Sequence, residues 1–178
     1  MLKAMTISSL KIDPVANSPI IVLKEVEGEQ SLPIWIGLLE ATAIAGEIEG
    51  VRFSRPMTHD LLKTIMDKTD SKVNKIEISD LRDNTYFALV HLTSGGKALS
   101  IDSRPSDAIA IALRTQAPIF VSDEVLRKSK QIEATVKRCL QVKARKERSG
   151  KTYLKNLSQI ILENTRRRDQ PYQQLHAP

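Results

Sequence analysis

The chain has 178 residues, 41% of them hydrophobic and 27% charged, a composition that excludes wholesale disorder. Domains commonly run to about 100–200 residues, so one domain with an appendage is expected. No run reaches the roughly 18 apolar residues of a membrane span. The opening MLKAMTISSLKIDP also lacks the apolar stretch of a secretory signal. Cys139 is the single cysteine, so an internal disulfide and a Cys-based zinc site are excluded and a cytoplasmic address is expected.

The net charge of +6 is unevenly spread. Residues 1–124 hold 13 Lys and Arg against 17 Asp and Glu, a net −4; residues 125–178 hold 14 against 4, a net +10. Local charge makes the local field, so attraction to nucleic acid is expected of the last third alone. This divides the chain into a body, 1–124, and a basic helical extension, 125–178, with a disordered end.

In chain order, residues 2–12 and 19–26 read as strands around a turn at Asp13-Pro14 and Asn17-Ser18. SLPIWIG (31–37) reads as a third strand, with Pro33 near its start or on an edge. Apolar residues from Leu38 to Ile48 take helical spacing and stop at Gly50. Arg55-Pro56 breaks the chain, and Thr58 stands as the N-cap of a helix over HDLLKTIMDK. Residues 73–81 and 85–93 flank a hairpin turn. Gly95-Gly96 leads to a strand at 98–102, Pro105 opens a buried helix to Arg114, and Pro118–Val121 is a short strand. Without steady βαβ alternation, the class is α+β with mostly antiparallel strands. Ser122 caps a helix that begins the extension, with Val125, Ile132, Val136, Cys139 and Leu140 roughly on one face. Residues 153–161 form a shorter amphipathic stretch.

No general nucleotide or hydrolase motif is present. The carboxylates say more. Asp80 and Asp83 close a strand and open a turn, and Asp102 closes another strand. Strand-end carboxylates can converge, and hard cations prefer oxygen ligands, so these three are a candidate site for Mg²⁺ or Mn²⁺. His59, Asp60, Arg104 and Asp107 sit at the starts of two helices and are the candidate catalytic set. Arg55 and Arg104 each precede a proline and a helix, where a guanidinium and free amides together favour phosphate. Each residue also has a structural reading: Asp suits turns and first helical turns, and Arg104 suits an ion pair.

The segments LPIWIG (32–37), EATAIA (40–45), RPMTHDLL (55–62), ISDLRDNTYFALV (78–90) and IDSRPSDAIAIALR (101–114) closely resemble the bifunctional nuclease domain family over roughly residues 2–126. The resemblance implies a compact α+β domain that self-associates, a dimer first, and cleavage of DNA and RNA. The matching positions are Glu40, Arg55, His59, Asp60, Asp80, Asp83, Asp102, Arg104 and Asp107. The extension does not resemble the family's other C-terminal modules.

Two functions stay open, with a third behind them. A metal-dependent nuclease without strong sequence preference would hold its cation on the acidic residues. Arg55 and the extension, with Lys143, Arg145, Lys146, Arg148 and Lys151, would grip the backbone charge. A non-enzymatic oligomeric module would use the same extension to bind nucleic acid or protein. The third reading is an anionic small-molecule site near Arg104. No membrane partner is expected.

Overall fold

The computed structural model describes residues 1–14 and 16–130. Its elements follow the expected order: β1 (Leu2–Asp13), β2 (Ser18–Glu25), β3 (Ser31–Trp35), α1 (Leu38–Ile48), α2 (Thr58–Lys68), β4 (Ser71–Arg82), β5 (Thr85–Ser94), β6 (Lys97–Ser103), α3 (Pro105–Thr115) and β7 (Ile119–Ser122). A further helix, α4, begins at residue 123 and is described to residue 130. Among the described residues no helix is long and apolar enough to cross a membrane.

The strands form one sheet in the order β3-β2-β1-β7-β4-β5-β6. Every pairing is antiparallel except β4 with β7. The fold is therefore α+β, as expected. Two-residue periodicity makes it two-sided. On β5, Tyr86, Ala88, Val90 and Leu92 are buried, while the alternate residues Phe87, Leu89 and His91 are half-buried. The buried set packs with Ile109, Ile111 and Ala112 of α3 and with Ala41, Ile44 and Ala45 of α1 in one core.

Local chemistry explains the turns. Asp83 and Asn84 both have positive φ, 47° and 58°, the tight turn that suits right-twisted strands. Gly95 and Gly96, at 55° and 75°, do the same between β5 and β6. One cap differs from expectation. Met57, not Thr58, is the N-cap of α2, because the Asp60 side chain accepts the Met57 amide at 2.9 Å. Ser122 caps α4 as expected, its Oγ accepting the Val125 amide at 3.2 Å. Val125 and Leu126 are buried in the main core, so α4 starts as part of the body.

The helix layer stops short of β6. Leu99 pairs with Leu92 and Ile101 with Val90, so both face the helix side. They nevertheless remain 46% and 50% exposed. Beside that open shelf, α3 begins at the end of β6 and α1 and α2 come close to it.

Candidate active site

Three of the four residues in the candidate catalytic set meet. Asp107 projects from the first turn of α3, His59 from the first turn of α2, and Arg104 is the residue just before α3. His59 Nε2 lies 3.2 Å from Asp107 Oδ1. Arg104 donates to Asp107 twice, from Nε at 2.7 Å to Oδ2 and from Nη2 at 3.1 Å to Oδ1. It also donates from Nη1 to Glu40 Oε1 on α1 at 2.7 Å. Four side chains from three helices thus line one pocket of about 310 Å³, with Phe53, Leu39 and Met57 as its apolar wall.

The protonation states follow from these contacts. Burial alone would raise the Asp107 pKa, but hydrogen bonds from Arg104 and His59 outweigh it and hold the carboxyl below its ordinary 3.8. Asp107 is then an acceptor only, so the facing Nε2 of His59 carries hydrogen. In the neutral ring Nδ1 is left as the basic nitrogen, and no described residue bonds it. Asp107 therefore fixes the tautomer and the orientation of the ring. The Arg104 pKa is raised by its bonds to Asp107 and Glu40. Arg104 spends three of its five N–H groups on those carboxylates. One N–H on each Nη remains, and its side chain is 66% exposed, so it can hold an anion as well.

Asp60, the fourth expected residue, faces elsewhere. Its Oδ1 accepts Arg114 Nε at 2.6 Å and its Oδ2 the Met57 amide. Desolvation would raise its pKa, but those two bonds lower it. Asp60 holds α2 in place rather than lining the pocket. Arg114 is the residue that sequence reasoning missed. Only 6% exposed, it joins all three helices, bonding Asp60 of α2, Ala110 O of its own helix and Ala43 O of α1. The signal was present: Asp107 and Arg114 are the only charges in α3, seven residues and two turns apart on one stripe. Glu40 stood in a matching segment but carried no assigned role.

Asp80, Asp83 and Asp102 do not assemble as a ligand set. Among the described residues no three His, Cys, Asp or Glu side chains are placed to hold a metal ion. The physical reason is that their neighbourhood already has its cations. Asp80 accepts from Arg82 Nε at 2.5 Å, Lys128 Nζ at 3.0 Å and the Leu81 amide. Its pKa falls steeply, chiefly through Arg82 and Lys128. Arg82 is raised first by Asp80 and also by the charge of Asp102. Asp102 follows Ile101 on β6 and so points away from the helices, on the far side of the sheet from Asp107. Asp83 sits in the β4–β5 turn. Arg55 is exposed on the loop before α2. Lys143, Arg145, Lys146, Arg148, Lys151, Cys139 and the amphipathic stretch at 153–161 lie outside the described residues. His91 takes a structural place, with Nε2 3.1 Å from Glu77, and Trp35 donates to Asp13 at 3.0 Å.

Comparison with known proteins gives a concordant result. A family model described as the bifunctional nuclease domain matches residues 21–134. An uncharacterized protein of Mycobacterium tuberculosis is 38% identical over 117 residues, 66% of this chain and 70% of the relative. Bifunctional nuclease 2 of Oryza sativa subsp. japonica is 33% identical over 110 residues, 60% of this chain. Bifunctional nuclease 1 of Arabidopsis thaliana is 33% identical over 111 residues, again 60% of this chain. The match spans only 34% of each plant relative.

Proposed function

This chain belongs to the bifunctional nuclease domain family, and from that premise we propose that it hydrolyses phosphodiester bonds of DNA, RNA or both, at the pocket of His59, Asp107, Arg104 and Glu40. The observation that carries this reading is the meeting of His59 with Asp107 and Arg104, from two helices 48 residues apart in sequence. The geometry supports the following proposed roles. His59 Nδ1 takes a proton from water as the water oxygen bonds to phosphorus. The ester P–O bond breaks, and the leaving oxygen takes a proton from solvent. Asp107 orients the ring and holds the tautomer that leaves Nδ1 free to accept. The free N–H groups of Arg104 hold the non-bridging oxygens, where charge gathers in the transition state.

The described residues offer no three-ligand cation group, so no step is assigned to a metal. Charge decides where affinity arises. Arg104 is outnumbered by Glu40 and Asp107, and residues 1–124 carry a net −4. The net +10 of residues 125–178 is proposed to supply sequence-independent attraction to the backbone. Self-association belongs to the same proposal: β6 is one of the two edge strands of the sheet, every residue but Ser103 exposed, and available to a second copy.

The test is cleavage of labelled single-stranded DNA, duplex DNA and RNA, with Mg²⁺, with Mn²⁺ and with chelator, by wild type and Asp107→Asn. Cutting that drops about 100-fold or more in the folded variant supports the site; the chelator arm reads whether a cation is also required. The binding-module reading has one observation in its favour, that the Arg104 ion pairs could serve structure alone. Salt-sensitive binding with no cutting under any condition would select it.

A further inference from the structure

The catalytic pocket continues into a second hollow. The first, of about 310 Å³, is shared by α1, the start of α2 and α3. The second, of about 520 Å³, runs between the end of α1 and the middle of α2 under the loop at 49–57. Phe53 and Arg114 line both. Phe53 thus stands as the partition between them, and its ring rests against α1 at Gly46, where a Cβ would be 3.7 Å from Cε2.

The chemistry on the two sides is different. Toward the first pocket the ring joins Leu39 and Met57, which are 82% and 40% exposed. Toward the second hollow stand Arg52 and Lys63, with Glu47 and Asp60 beside them, and Lys63 Nζ pairs with Asp67 at 2.5 Å. The Arg52 side chain is 81% exposed and pairs with Glu47 at a long 3.7 Å. An aromatic ring between Arg104 and a second hollow where Arg52, Lys63 and Arg114 outnumber Glu47 and Asp60 repeats the alternation of a nucleic acid strand, base then phosphate. Aromatic faces bind bases by stacking irrespective of sequence. A base within a duplex is already stacked and paired, and reaches such a wall only after extrusion.

We propose that the α1–α2 groove takes one unpaired nucleotide, with its base against Phe53 beside His59 and its next phosphate toward Arg52 and Lys63. The preferred substrate is then single-stranded nucleic acid. This inference rests on the phosphodiesterase reading of the pocket.

The experiment is equilibrium binding by fluorescence anisotropy to the full chain at one fixed salt concentration. Three phosphorothioate-linked probes, which resist cleavage, are compared: an eight-residue thymidine strand, an abasic strand of equal length, and the thymidine strand in a duplex. Equal backbone charge makes the basic extension respond alike to the two single strands. The expected result is at least about tenfold tighter binding of the thymidine strand than of the abasic one. Phe53→Tyr keeps that preference and Phe53→Leu removes it. A 5-iodouracil strand gives a measurement that needs no variant, since it crosslinks to Phe53 on irradiation. Equal binding of the two single strands by wild type overturns the proposal, as does a crosslink that maps away from the groove. Wild-type cleavage measured in parallel separates the two readings. Discrimination without cutting removes the nuclease and leaves the groove; cutting without discrimination removes the groove alone.

Discussion

Arg104 combines a structural place with the phosphate-holding role proposed for it. Its bidentate grip on Asp107 and its bond to Glu40 need a planar fork of donors, which lysine lacks. Arg104→Lys should therefore lower cleavage by about 100- to 1,000-fold, the scale of losing a placed donor. Its effect on stability should stay within about 1 kcal/mol because the side chain is largely exposed. Rates and melting curves of one preparation read both. Asp60 has the opposite balance. Its folded-state pKa lies below the ordinary 3.8, so its pairing with Arg114 is fully present above that value. The contribution is lost as pH falls through the folded-state pKa. Asp60→Asn should cost about 2 kcal/mol at pH 7, by leaving the buried Arg114 poorly paired. The stability gap from wild type should close as pH is taken from 5 to below 3.8. A gap that stays constant over that range would mean the pair contributes nothing electrostatic.

At the scale of elements, α3 does most to build the site. Asp107 and Arg114 are its only charged residues, so its burial sets both charges at fixed places, one in the pocket and one locking α1 and α2. Ile109→Ala should destabilise by about 2–5 kcal/mol, since the residue is wholly buried in the core. The β4–β5 turn is a second test. Asn84, with φ of 58°, tolerates a left-handed backbone that a branched residue resists. Asn84→Val should cost about 1–2 kcal/mol in denaturant unfolding and leave the pocket unchanged. Most elements were legible in the sequence, because strand alternation and Gly, Pro and Asn punctuation act locally. The start of α2 was misread by one residue, since the Asp60 carboxylate bonds the Met57 amide and outcompetes the Thr58 hydroxyl as a cap. The irregularity in β4 between Ile78 and Asp80 was hidden too. A shift of that kind changes which face a side chain meets, and nothing in the local pattern marks it.

For the whole molecule, distance along the chain set the limit of reading. His59 and Asp107 were each recognisable as helix-start residues, but their meeting depends on how α2 packs on α3. Asp80, Asp83 and Asp102 look like a converging set on paper, yet the two-sided sheet and the cations at Arg82 and Lys128 keep them from being one. The edge strand carries a prediction at this scale. Ile101→Lys places a charge on the open shelf of β6 and should shift the chain toward monomer in sedimentation. A wild type that sediments as a monomer throughout the concentration range would remove self-association from the account.

Phosphodiester cleavage is proposed at the pocket of His59, Asp107 and Arg104. The most direct measurement is the single-turnover cleavage rate of labelled RNA and single-stranded DNA by wild type and His59→Ala, purified together and matched by melting temperature. The account predicts a fall of about 10²–10⁴-fold in the variant, the range for losing a general base. Equal cutting by the two proteins would contradict it and place the activity outside this pocket.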